Sequence, residues 1–141
     1  MKVFLDTNII LDFFDSNRGH YLPSAIVFDL ALKKKIELFV CAQSFINAFY
    51  ILRKHYEKEE LYRIMRKMFS LCQVTPVNTE IIEKALQFEC HDFEDACQYY
   101  SSMSIDADVV LTRDRKGFDE FPIRHISAEE FLDEFFKGIS N

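Results

Sequence analysis

The sequence predicts a three-layer α/β/α sandwich with a central parallel sheet of about four or five strands, spanning residues 1–141 as a single domain. Short apolar runs alternate with helical stretches of roughly ten or more residues, the pattern of parallel βαβ units. The chain is 141 residues long and 49% hydrophobic, the size of one domain and apolar enough to bury a sizeable core. With 3 Gly and 3 Pro it lacks the turn density of an all-β sandwich or barrel, and its apolar content excludes disorder.

Each element has its own signal. Lys2–Leu5 is a short apolar run that reads as a buried strand ending at Asp6. Residues 8–14 carry apolar side chains at helical spacing, and residues 22–34 form a clearer helix through Ile26, Phe28, Leu30 and Leu32. A second strand covers residues 36–40. Residues 42–55 recur apolar at Phe45, Phe49 and Leu52, and residues 59–71 at Leu61, Ile64, Met65 and Met68, so both read as helices. A brief strand at residues 73–76, helices over Thr79–Phe88 and residues 92–103, and an apolar strand at residues 108–112 follow. A last strand at residues 123–126 and a closing helix at residues 128–136 complete the order. No repeat, low-complexity tract or linker interrupts it.

Composition also bounds the function. Lys and Arg number 17 against 23 Asp and Glu, a net charge of −6, so global positive charge does not attract nucleic acid here. Asp6 interrupts the apolar amino terminus too early for a signal peptide. The longest uncharged run, residues 38–52, holds Gln43, Ser44 and Asn47 and is too short and polar to span a bilayer, so the cytoplasm is the expected location. Cys41 and Cys72 sit in apolar contexts and read as core thiols of a reducing compartment. Cys90, His91 and Cys97 lack the tight spacing and fourth ligand of a structural zinc site.

The topology decides where the polar residues meet. In a parallel sheet the strand carboxyl ends and helix amino ends share one edge, and ligands bind there, where strand order reverses. Asp6 follows the first strand, Asp114 follows the Val109–Leu111 run, Asp95 lies in the first turn of its helix, and Asn47 lies in the second turn of another. Like charges held together need a cation, and hard oxygen donors without His or Cys select Mg²⁺ or Mn²⁺. Such an ion binds phosphates and activates water, which suits phosphodiester hydrolysis. The plainer alternative is that Asp6, Asp92 and Asp114 are ordinary turn residues or helix caps. A small phosphatase or phospho-receiver domain is disfavoured because Asp6-Thr7-Asn8 supplies a single carboxylate after the first strand.

The same residues carry a resemblance. Phe4-Leu5-Asp6-Thr7-Asn8-Ile9-Ile10-Leu11-Asp12 resembles the first motif of PIN domains, Asp92-Phe93-Glu94-Asp95-Ala96-Cys97-Gln98 the third, and Val110-Leu111-Thr112-Arg113-Asp114 followed by Phe118 the fourth. Ser44, Asn47, Tyr50 and Leu52 sit where the second belongs, so the resemblance covers essentially the whole chain. It implies a metal-dependent ribonuclease, and membership among toxins paired with an antitoxin. It further implies that Asp6, Asp95 and Asp114 hold the metal, with Asn47 assisting, Thr112 as a supporting hydroxyl and Asn8 as an amide holding the first loop. Asn47 stands where the family usually has Glu, as in a subgroup with an Asn-x-x-Tyr helix. The expectation is one negative charge fewer and weaker metal binding, and the alternative is a PIN-like module that binds RNA or protein with turnover weakened. Arg113 and Arg115 flank the site and are expected to bind RNA phosphates. The remaining basic clusters, around Lys33, Arg53 and Arg63, read as solvated helix faces, with contact to RNA phosphates as the alternative. Residues 131–136 are expected to pack a terminal helix on the core, with an antitoxin or a second copy in a homodimer as the alternative contact.

Overall fold

A computed structural model describes residues 1–140; Asn141, the end of the expected domain span, lies outside the described residues. The strands are β1 (Lys2–Leu5), β2 (Glu37–Cys41), β3 (Cys72–Thr75), β4 (Val109–Leu111) and β5 (His125–Ile126). All pair in parallel, in the order β3-β2-β1-β4-β5. The helices are α1 (Thr7–Phe14), α2 (Tyr21–Leu32), α3 (Ala42–Leu52), α4 (Lys58–Leu71), α5 (Thr79–Phe88), α6 (Phe93–Met103), α7 (Arg115–Phe118) and α8 (Ala128–Ser140). The fold is the expected α/β/α sandwich, with five strands.

Strand side chains alternate between two cores, as the pleat requires. Val3, Leu5, Leu38, Val40, Val109 and Leu111 face a core completed by Ile9 and Ile10 of α1, Phe28 of α2, Leu52 of α3, Met68 of α4 and Phe131 of α8. Phe4, Phe39 and Val110 face the opposite core, completed by Ile81 of α5, Ala96 and Tyr99 of α6, and Phe118 and Phe121. A strand buried on both faces has no polar alternation, which is why the sheet appears in the sequence as continuous apolar runs.

The boundaries differ where local signals are weak. α3 stops at Leu52 rather than at residue 55, with Arg53 capping through its N–H to Phe49. α8 continues to Ser140, through a glycine and the exposed Ile139, which carry no core-facing signal. The 3-10 turn Ser16–Arg18 and the four-residue α7 are too short to show periodicity. The turn closes at Gly19, whose φ of +80° lies in the left-handed region that glycine enters without strain. Phe131 and Leu132 of α8 are buried in the core, as expected of the terminal helix. Of the basic clusters, Lys33 pairs with Asp29 and Arg63 with Glu60 on exposed faces.

One ion network ties the loops together. Asp12 of α1 is fully buried. It accepts Arg18 Nε at 3.0 Å and both Nε and Nη2 of Arg113 at 2.8 and 3.0 Å. Arg18 also donates to Asn8 Oδ1 at 3.3 Å, which links Asn8 to the same network. Removing one partner of such a network costs about 3–5 kcal/mol where the others stay buried. Both arginines keep access to water, so Asp12→Ala is expected near the low end, about 3 kcal/mol. Urea unfolding checks this as a shifted midpoint with unchanged slope.

Candidate active site

β1 lies between β2 and β4, and the chain leaves it first on one side and returns on the other. The carboxyl edge of β1 and β4 is therefore the point where strand order reverses. The Asp6 N–H donates to Leu111 O at 2.9 Å, which places Asp6 directly beside the end of β4. Asp6 as a whole is 5% exposed. It accepts Thr112 Oγ1 at 2.8 Å on one oxygen and Gln98 Nε2 at 3.2 Å on the other. Although Asp6 occupies the cap position of α1, its side chain makes no capping bond, so the plain helix-cap reading fails for it. Thr112 serves two partners, because its oxygen also accepts the Asp114 N–H at 2.9 Å.

α6 delivers the second carboxylate. Asp92 is the N-cap, accepting the Asp95 N–H at 3.1 Å, and this sets Asp95 in the first turn facing the sheet edge. Asp95 is 7% exposed, and its Oδ2 is buried without a hydrogen-bond partner. Asp114 is exposed and caps α7 through Oδ1, which accepts the Gly117 N–H at 3.2 Å. Its capping and site readings are compatible, since its second oxygen stays available. Asp6, Asn8, Asn47, Asp92, Glu94, Asp95, Gln98 and Asp114 line a cleft of about 360 Å³. Asp92, Asp95 and Asp114 also border an adjoining cleft of about 610 Å³ with Lys116 and Gly117.

The electrostatics follow from burial and crowding. Burial pushes the Asp6 carboxyl up, against the lowering hydrogen bonds of Thr112 and Gln98, and Asp114 adds to the rise. Asp95 is pushed up to about 7, first by burial, then by the negative charges of Asp92, Asp6, Asp114 and Glu94. Burial and Asp92 raise Glu94 as well.

The residues fit a divalent cation of the hard class. Donors are carboxylate and amide oxygens. Asp95 Oδ2 is an orphaned acceptor, costly to bury unless something binds it. Glycine at 117 keeps the gap beside it open: a Cβ there would stand 2.1 Å from Asp95 Oδ2 and 2.9 Å from Asp114 Oδ2. Among the described residues, no three His, Cys, Asp or Glu side chains are already gathered in an arrangement that could hold a metal ion. An open carboxylate set suits a hard divalent cation that retains waters and is bound by a few carboxylates rather than in an all-protein cage.

The expected phosphate contacts are placed differently. Arg113 turns inward to Asp12, and Arg115 pairs with Glu130 of α8. Asn47 borders the cleft, but its amide nitrogen donates to Glu94 Oε1 at 3.3 Å and its oxygen accepts Gln43 Nε2 at 3.0 Å. Gln98, Asp12, Glu94 and Gly117 acquire roles that sequence reasoning missed. Gln98 and Glu94 lie inside the third motif, but only the helix phase of α6 shows which of its polar residues reach the edge.

This fold, with an acidic site at its switch point, defines a class. The PIN domain family model matches residues 2–116, and the chain belongs to that family. It is 27% identical over 139 residues to Ribonuclease VapC1 of Aquifex aeolicus (strain VF5), covering 95% of both chains. The structure of VapBC2 from Rickettsia felis, bound to a promoter DNA fragment, shares the fold with a TM-score of 0.66 at 15% identity, over 90% of this chain and 98% of that one. Mycobacterium tuberculosis VapC20, a Sarcin-Ricin loop cleaving toxin, superposes with a TM-score of 0.65 at 11% identity, over 82% of this chain and 92% of that one.

The raised carboxyls make metal-free stability depend on pH. Asp95 holds its proton up to about 7 in the folded protein but only to about 3.8 when unfolded. Between those limits the folded state binds more protons, so its stability falls as pH rises through the window. The metal-free protein should therefore melt lower at about pH 8 than at about pH 5. Asp95→Asn should make the dependence shallower but not flat, since Asp6 and Glu94 shift in the same direction. Thermal melts in chelator, for both proteins across this range, check it.

Proposed function

We propose that this chain is a Mg²⁺- or Mn²⁺-dependent endoribonuclease that hydrolyses RNA phosphodiester bonds as the toxin of a toxin–antitoxin pair. The observation that carries the reading is the meeting of Asp6, Asp95 and Asp114 at the switch point of a PIN domain, with Asp95 Oδ2 buried and unpartnered. Kinship with a curated VapC ribonuclease, and a fold shared with a VapBC complex, support the activity and the antitoxin partner.

Asp6, Asp95 and Asp114 would hold the cation. When bound, it would lower the pKa of a coordinated water and stabilise charge on the phosphoryl centre. Thr112 and Gln98 fix both Asp6 oxygens, so this carboxylate is oriented before any ligand arrives. Thr112 sets the Asp114 backbone at the same time. Gly117 leaves the room that the Asp95 carboxylate occupies. The site's own charge repels a phosphodiester, so RNA recognition runs through the cation and the clefts on either side of Asp95. Lys116 is the cation lining the second cleft. Hydrolysis in line would leave a 5′-phosphate and a 3′-hydroxyl. Exposed Ile46 and Tyr50 on α3 and Tyr62 and Phe69 on α4 give an apolar surface suited to a protein partner. Cys41, Cys72, Cys90 and Cys97 are free thiols, in keeping with a cytoplasmic setting. No helix among the described residues is long and apolar enough to cross a membrane.

RNA cleavage assays with Mg²⁺, Mn²⁺ and chelator test the reading. Asp6→Asn, Asp95→Asn and Asp114→Asn should each cost at least about 100-fold, the upper end for losing an outer partner of a metal site. Gly117→Ala should also lose cleavage, because its Cβ displaces the Asp95 carboxylate. Near-wild-type cleavage by Asp95→Asn would remove the metal from the reading.

A further inference from the structure

We infer that Glu94 supplies the fourth carboxylate of this site and that Asn47 is the residue that positions it. The inference rests on the metal site proposed above and adds one residue to its charge.

The bonding of Asn47 carries the argument. An ionised carboxylate only accepts hydrogen bonds, so the atom of Asn47 facing Glu94 Oε1 at 3.3 Å must be its amide nitrogen. Its oxygen is thereby turned to Gln43 Nε2, 3.0 Å away. Asn47 thus presents a donor toward the cleft and spends its acceptor along its own helix. It is a holder of carboxylate rather than a ligand in place of one. Glu94 borders the same cleft as Asp6, Asp95 and Asp114. It sits one residue before Asp95 in the first turn of α6, so the helix that presents the orphaned Asp95 Oδ2 presents Glu94 beside it.

The charge set is therefore complete, but its fourth member comes from α6 instead of α3. A glutamate at 47 would set two carboxylates against each other where a donor now meets an acceptor. Asn47→Glu, which by charge count alone would tighten the metal, here loses the bond that orients Glu94. Asparagine at 47 and glutamate at 94 are a matched pair. The alternative for Glu94 is that it merely favours the amino end of α6 through the helix dipole. The two roles differ in sign: a dipole partner stabilises the empty protein, whereas a carboxylate crowded by Asp6 and Asp92 does not.

Calorimetric titration with Mn²⁺ alone, and melting in chelator, separate these outcomes without reference to cleavage. Glu94→Gln should weaken Mn²⁺ binding roughly 10–100-fold. It should melt no lower than wild type in chelator, because the amide relieves like-charge crowding. Asn47→Ala should weaken Mn²⁺ by about tenfold in the wild-type background and add nothing to Glu94→Gln, since it acts through Glu94. Wild-type Mn²⁺ affinity in Glu94→Gln, beside a loss in Asp95→Asn, would overturn this inference and leave the proposed site standing. Additive losses from positions 47 and 94, or a lower melt of metal-free Glu94→Gln, would also overturn it. A wild type that binds no Mn²⁺ would overturn both.

Discussion

A carboxylate buried at the end of the central strand sets the terms for the rest of this molecule. Asp6 closes β1 at the place where strand order reverses and is almost fully removed from water. A charge in that position is tolerated only if donors replace its hydration. Thr112 comes from the end of β4 and Gln98 from the second turn of α6, so satisfying one carboxylate fixes three segments relative to each other. Asp114 follows Thr112 and Asp95 precedes Gln98 by less than one helical turn. The neighbours recruited to solvate Asp6 thus also bring the other two carboxylates to the same edge.

Two acidic centres lie close together and are balanced in opposite ways. Asp12 is more deeply buried than Asp95, yet two guanidinium groups neutralise it inside the protein. That network is structural: it pins the segment carrying Asp114 to α1. Asp6, Asp95 and Glu94 have no such cations and answer burial and crowding by raised proton affinity instead. Neutralising them internally would stabilise the fold and close the site to a metal. Leaving them uncompensated keeps stability below what the fold permits, the usual cost of a site built for chemistry.

The sheet and most helices were legible in the sequence because burial on both faces leaves continuous apolar strands and helical faces leave a clear period. That Asp6, Asp95 and Asp114 border one cleft was legible because a parallel topology sends strand ends and helix starts to one edge. The arginines were not. Arg113 and Arg115 are near the site in sequence, but their long side chains turn to Asp12 and Glu130, and no local pattern reveals a partner 101 residues away. Gln98 and Gly117 were hidden for a related reason. One is selected by helix phase, and the other by the absence of a side chain where two carboxylates need room. Asn47 reads locally as a lost charge, and only its contact with Glu94, 47 residues on, shows where that charge went.

On the proposed reading, these features couple cation and RNA. The carboxylates are not pre-gathered into a metal cage, and four of them repel both one another and a phosphate backbone. A divalent ion relieves the first repulsion and converts the second into attraction, while RNA phosphate can complete a coordination sphere that the protein leaves open. Whatever free energy the ion adds to RNA binding, the RNA must return to ion binding in equal measure. A chain with a net charge of −6 therefore needs no general affinity for nucleic acid. Its discrimination rests on substrates whose scissile phosphate reaches the gap between Asp95 and Asp114, because only there does binding one ligand help bind the other.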